Sequence, residues 1–280
     1  MQMKESACFK VEIKDHIAHI VLSRPEKMNA MNRDFWHDLP AIVREIDEGA
    51  LARVIVISST GKHFTSGMDL SVFTSGPDIA GKETGRVRAN LMQTVLKLQK
   101  TFSCLDEARM PVLMAVQGGC IGGGVDFASA CDMRYCTKDA FFCIQEINIG
   151  MTADVGTFPR LPHLMPQGLV RELAYTGRRL FADEAKACGF VNAVFETQEE
   201  MLAAVMGIAR DIAARSPLAV YGSKEMINYA RDHSIADGLK HIAVWQTGMF
   251  QPHDMMESFA AKSEQREPEF DDLLPVQSIL

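Results

Sequence analysis

Two apolar runs, "ARVIVISS" (52–59) and "PVLMAVQ" (111–117), most constrain what this chain can fold into. Both are short, lack helical spacing and are rich in β-branched or other apolar residues, as expected of buried strands. The first is followed by the loop "GKHFTSGMDL" (61–70). The second runs straight into "GGCIGGGVDFASACD" (118–132), a Gly-rich turn that opens a helix. Repeated strand–helix units of this kind belong to the α/β class.

The remaining pattern is consistent with that class. Alternation in "CFKVEIK" and "IAHIVL" on either side of Asp15 and His16 predicts a hairpin. Asn32 is placed to cap a helix running to about Asp47. Leu91, Val95, Leu98 and Phe102 fall on one face of a helix over 91–105. Further helices are expected over 155–161, 168–175 and 182–187, and "FVNAVFE" is a last strand. Beyond Thr197 only helical patterns continue. A boundary near residue 200 separates an α/β core (1–199) from a helical C-terminal part (200–280).

Composition excludes several functions. With 280 residues, 47% hydrophobic and 23% charged, the chain has the make-up of an ordinary soluble globular protein. A net charge of −7 argues against an extended nucleic-acid surface, while a local basic pocket for a phosphorylated group remains compatible. No stretch approaches the roughly 20 apolar residues of a membrane span. The seven Cys form no CxxC pair and read as free thiols in a reducing compartment. The N-terminus enters a strand pattern at once without a leader-like segment, so cytoplasmic localisation is the expectation.

Chemistry concentrates in two places. "FTSGMD" (64–69) and "GGCIGGGVDF" (118–127) are Gly-containing turns, each after an expected strand. A helix opening at Gly123 directs free N–H groups at an incoming oxygen. One backbone donor from each turn would form an oxyanion hole for a carbonyl gaining charge. Dinucleotide binding is the competing reading, but the N-terminal βαβ unit of a Rossmann fingerprint is absent. A tight turn with a purely structural role is the simplest alternative.

The second place is acidic: Asp126, Glu146 and Asp154. Asp126 in the first turn of its helix and Asp154 as a helix cap each have an adequate structural explanation. Glu146, in "QEINIGMTADVG" (145–156), has none: its neighbours are apolar or small and include no Lys, Arg or His. Such surroundings oppose ionisation of a carboxyl group. His63 and His163 read as packing or hydrogen-bonding residues, and the three acids are too few in sequence for a metal site.

"RPEKMNAM", "HFTSGMDL", "GGCIGGGVDFASACDMRY", "DAFFCIQEINIGMTADVGTFPRLP" and "GRRLFADEAKACGFVNAVF" together resemble the crotonase (enoyl-CoA hydratase/isomerase) superfamily. The match runs from about residue 8 into the C-terminal helices and weakens after residue 200. The resemblance implies a spiral of repeated ββα units, a helical C-terminal part that oligomerises, and a homotrimer or homohexamer. It implies an acyl-CoA thioester as substrate, with CoA as part of that substrate and no separate cofactor or metal.

By position, the N–H groups of Met68 and Gly123 match the superfamily's oxyanion hole. Lys27, Met28, Ala30, Ser66, Gly67, Asp69, Gly122 and, in the drifting C-terminal region, Lys262 match substrate- or CoA-binding positions. Typical hydratases carry Glu at the positions of both Asp126 and Glu146 and Gly at that of Asp154. The three-acid pattern here is instead similar to members that isomerise 3,5-dienoyl-CoA to 2,4-dienoyl-CoA in unsaturated fatty acid β-oxidation. Glu146 then serves C2, Asp154 serves C6, and Asp126 tunes both. A 2-enoyl-CoA hydratase, a single-double-bond isomerase and a non-catalytic acyl-CoA- or RNA-binding homologue are the alternatives. Met68, Phe73 and Phe142 are candidates for lining the acyl channel.

Overall fold

The computed structural model describes residues 6–69, 71–72 and 83–277, so the channel candidate Phe73 lies outside the described residues. Six strands form the main sheet in the order β1-β2-β3-β4-β6-β9: Phe9–Lys14, Ile17–Leu22, Val54–Ser59, Val112–Val116, Met133–Thr137 and Ala193–Phe195. Among the described residues of this sheet, the β1–β2 hairpin is antiparallel and the other neighbouring pairs are parallel. A smaller sheet joins β5 (Gly119–Ile121), β7 (Phe141–Cys143) and β8 (Leu180–Phe181). β5 forms inside the Gly-rich run that the sequence presents as a turn.

Every residue of β3 and β4 is buried, because helices cover both faces of the sheet. Side chains alternate between two cores with period two. Ile55, Ile57, Val112, Met114 and Val116 join one core with Phe35, Leu39, Ile42, Phe102 and Phe127. Val54, Val56, Leu113 and Ala115 face the other, filled by Met201, Val205, Ala209 and Ala213 of the helix Gln198–Ala213. The sheet therefore depends on a helix beyond residue 197 to cover its second face.

The helix Arg33–Glu48 begins where the sequence indicates: Asn32 Oδ1 accepts the Phe35 N–H at 3.0 Å. The helix expected over 91–105 runs from Thr84 to Glu107. Its apolar stripe is only partly used. Phe102 is fully buried and Val95 and Leu98 are half-buried, but Leu91 is 57% exposed, because the N-terminal half extends past the core. Two shorter helices, Thr157–Leu164 and Gln167–Thr176, follow the acidic segment.

Aromatic rings tie these layers together. Phe102 stacks on Phe127 with ring centroids 5.2 Å apart, and both lie against Phe35. Phe127 belongs to the helix Gly123–Ser129 that the Gly-rich turn opens. Phe102→Ala is expected to cost about 3–5 kcal/mol in urea unfolding, through the cavity it leaves. A loss below about 1 kcal/mol would show that this contact does not anchor the Gly-opened helix.

Candidate active site

Three loops meet at the carboxyl ends of β3 and β4, where open α/β sheets place ligands. The first, Arg24 to Met31, is shaped by Asn29, whose φ of 51° is left-handed. Its buried side-chain Nδ2 donates to Thr60 O at 2.8 Å and His63 O at 3.2 Å, while its Oδ1 accepts the Arg24 N–H at 2.9 Å. This draws the loop onto the second, His63 to Asp69. The Ser66 N–H donates to Met28 O at 3.0 Å, and Met31 forms an isolated parallel bridge with Met68. The third loop joins through a Thr65–Cys120 bridge.

Close approach of backbones explains the glycines. A Cβ on Gly67, which has a φ of +85°, would lie 2.7 Å from Ile121 O and 3.5 Å from Gly123 N. The two turns therefore pack main chain against main chain. Around them, the N–H of Gly67 donates to Thr65 Oγ1, that of Asp69 to Met31 O and that of Gly122 to Cys143 O. Among the described residues, the N–H groups of Met68 and Gly123 have no such partner.

Beside these free donors sit the acids. Gly122 has a φ of +55°, and a Cβ there would stand 3.2 Å from Glu146 Oε1, so the carboxyl group lies directly against the turn. Glu146 is carried on a short 3-10 helix, Gln145–Ile149, which Gly150 ends in a left-handed conformation. Its Oε2 is buried without a hydrogen-bond partner among the described residues. Asp126 is fully buried; its Oδ1 accepts the Thr157 N–H at 2.6 Å, and its Oδ2 has no partner among the described residues. Asp154 is exposed, and its side chain caps nothing: Gly156 is the N-cap residue of Thr157–Leu164. Helix capping therefore does not account for Asp154.

Burial raises all three carboxyls. Glu146 is pushed up to about 7, first by loss of solvent, then by the charges of Asp126 and Asp154, against the pull of its own N–H. Asp126 rises to about 6 for lack of solvent, although Thr157 and the Arg160 charge hold it down and Asp154 adds to the rise. Asp154 is also raised by the desolvation of its inner side. Two carboxyls titrating near neutrality are suited to exchanging protons with a ligand.

Other expected residues fall into separate groups. Lys27 and Met28 are exposed and Ala30, Ser66 and Asp69 half-buried, all on the converging loops. Asp69 Oδ1 accepts the Ser71 N–H at 3.0 Å, which lowers its pKa and marks it as a turn-former. Lys262 is exposed on the helix Pro252–Glu264. Phe142 is buried edge-on against Phe190 at 4.9 Å and belongs to the core rather than to a channel. Met68 is half-buried and packs on the main core. His63 Nδ1 accepts the Gly119 N–H at 2.9 Å, the structural role its sequence context indicates. All seven Cys are free. Among the described residues no group of three or more His, Cys, Asp and Glu is placed to hold a metal ion. No described helix is long and apolar enough to cross a membrane.

The residues 12–273 match the enoyl-CoA hydratase/isomerase family. The chain belongs to that family. This member is 44% identical over 254 residues to the mouse mitochondrial delta(3,5)-delta(2,4)-dienoyl-CoA isomerase, covering 90% of this chain and 78% of the relative. It is 37% identical to the peroxisomal enzyme of the same name from Arabidopsis thaliana, over 91% of this chain and 92% of that one. The crystal structure of an enoyl-CoA hydratase from Bacillus anthracis superposes with a TM-score of 0.82 at 28% identity, covering 96% of this chain and 100% of the other. The crotonase-like fold expected from the sequence is therefore the observed one.

The compartments named for these relatives overturn the cytoplasmic expectation: one is mitochondrial, the other peroxisomal. That expectation rested on a missing leader pattern. Compartment is encoded in targeting signals outside the folded core, so the core sequence carries no trace of it.

The raised Glu146 has a consequence for stability. A carboxyl whose folded pKa lies above its unfolded value contributes stability below the unfolded pKa and loses it as pH rises through the folded value. Glu146→Gln, which removes the charge, should gain about 1–3 kcal/mol over wild type at pH 8, and the gain should shrink toward pH 5. Calorimetric unfolding at both pH values checks this. An equal effect at both would mean that the site does not hold the carboxyl group up.

Proposed function

We propose that this protein isomerises 3,5-dienoyl-CoA to 2,4-dienoyl-CoA, the activity for which its mouse and Arabidopsis relatives are named. The observation that carries this reading is that Asp126, Glu146 and Asp154 lie close enough to feel one another's charge, with Glu146 against the Gly122 turn beside N–H groups that have no partner among the described residues. Removal of the C2 proton from a 3,5-diene gives an extended dienolate, with charge shared onto the thioester oxygen. The Met68 and Gly123 N–H groups form the oxyanion hole for that oxygen, an arrangement worth about 3 kcal/mol per donor.

Glu146 takes the C2 proton. Its carboxyl group adjoins Gly122, next to the donor that holds the thioester oxygen, so it lies nearest the α carbon. Asp154, eight residues further along the same segment, delivers a proton at C6. Electrons move from the C2–H bond through the diene to C6, so one proton leaves and one arrives. Asp126 touches neither carbon and sets the charge balance of the other two. Lys27, Met28, Ala30, Ser66, Gly67, Asp69 and Gly122 surround the acyl-CoA; CoA is part of the substrate, and no further cofactor enters. Residues 1–199 supply this site; the helix Gln198–Ala213 leads into the helical part 200–280 and covers the sheet, and the helices after it are the oligomerisation region of a homotrimer or homohexamer.

A 2-enoyl-CoA hydratase is the second reading, because Glu146 also suits water activation. Asp154 separates the two. Purified protein should convert a 3,5-dienoyl-CoA with growth of the conjugated 2,4-dienoyl absorbance. Asp154→Asn should lower kcat for that conversion by about 10²–10⁴-fold with little change in KM. Wild type that is inert on the dienoyl substrate yet rapidly hydrates a 2-enoyl-CoA would defeat the isomerase reading. Undiminished turnover by the Asn variant would remove Asp154 from proton transfer.

A further inference from the structure

The acids depend on a short stretch, Asp154 to Thr157, that has no regular structure until its last residue. It carries the Asp154 side chain and supplies the Thr157 N–H to Asp126 Oδ1. Two side chains hold it from behind, on the wall of a polar cavity of about 650 Å³. Gln99 Nε2 donates to Asp154 O at 2.8 Å. Arg160 lies flat against Gly156, where a Cβ would run into its Nη1.

Arg160 is itself fixed. Its Nε donates to Asp106 Oδ2 at 2.7 Å and its Nη2 to Ser103 Oγ at 3.1 Å, both on the helix Thr84–Glu107. Asp106 is gripped in turn by Arg231 Nη1 at 3.0 Å, and its backbone carbonyl accepts Asn228 Nδ2 at 3.0 Å. The guanidinium and Asp106 are 13% and 17% exposed, so the pair is sheltered enough to keep its geometry.

We propose that Arg160 and Gln99 are positioning residues for the isomerisation: Gln99 fixes the backbone of Asp154, and Arg160 fixes Gly156 and, through it, the Thr157 N–H that Asp126 accepts. This rests on the dienoyl-CoA reading of the site. The charged groups facing Asp126 are Glu146, Asp154 and Arg160, of which only Arg160 is positive. Around Arg160 stand Asp106, Arg231, His163 and Asp232, lining the same cavity. The Asp106 carboxylate is shared between two guanidinium groups, Arg160 and Arg231, so it does not pair with Arg160 alone.

The sign follows. Removal of the Arg160 charge takes away one of the groups that hold the Asp126 carboxyl down, so Asp126 becomes harder to ionise. Substitution of Gln99 changes no charge and loosens only the Asp154 backbone.

Infrared titration of the buried carboxyl stretch, with the band assigned by its loss in Asp126→Asn, follows the cluster without substrate. This separates failure of the inference from failure of the dienoyl-CoA reading. In Arg160→Gln the titration should move up by about half a unit or more, and in Arg160→Lys it should stay near wild type. With 3,5-dienoyl-CoA, Gln99→Met should lower kcat about tenfold with KM nearly unchanged and no shift in titration. Folded Arg160→Gln with an unmoved titration would overturn the electrostatic role. If that variant does not fold, wild-type kcat in both Arg160→Lys and Gln99→Met would overturn the positioning role.

Discussion

Burial of β3 and β4 on both faces is the constraint from which the site follows. A strand that alternates Ile and Val between two apolar cores has no polar face, so chemistry can stand only at its ends. The parallel register of β3 and β4 brings their carboxyl ends to the same edge of the sheet. From there one loop supplies Met68 and the other Gly123, with main chains too close for any side chain at Gly67. These two N–H groups, without a partner among the described residues, are thus brought together by sheet packing.

Three carboxyls beside one another would repel if all were ionised, and the site resolves this by treating each differently. Asp126 is the most deeply buried, yet it accepts an N–H and feels a guanidinium, which limits its rise to about 6. Glu146 has less help and reaches about 7. Asp154 keeps one side in solvent. Near neutral pH Glu146 and Asp126 are therefore both close to their protonation midpoints, a behaviour imposed by environment on chemically ordinary carboxyls. The couplings mean that the protons belong to the set, and a change at one member is felt by the others.

Much of this was legible in the sequence wherever a local pattern carries the information. The β-branched runs marked the strands, Asn32 marked its helix, and three acids among apolar neighbours marked the site. Contacts between distant segments left no such trace. Arg160 is spaced 54 residues from Asp106 and Gln99 is 55 from Asp154, so nothing near either residue signals the partner. The same holds for Thr157, which lies 31 residues from the Asp126 that accepts its N–H. Leu91 shows the opposite failure, since its helical spacing is sound but its turn extends beyond the core that would have buried it.

The fold alone does not choose the reaction. A hydratase shares this backbone at a TM-score of 0.82, and Glu146 beside two N–H donors would serve either chemistry. The difference must lie in what can reach the far end of the acyl group. The stretch 154–157 answers this by giving one segment two duties: it carries Asp154 outward, and through the Thr157 N–H it returns to Asp126. Glycine in place of Asp154 would leave the second duty intact and abolish the first. In the proposed reaction, this one side chain is what extends proton transfer from the α carbon to C6, and Gln99 and Arg160 hold the backbone that carries it.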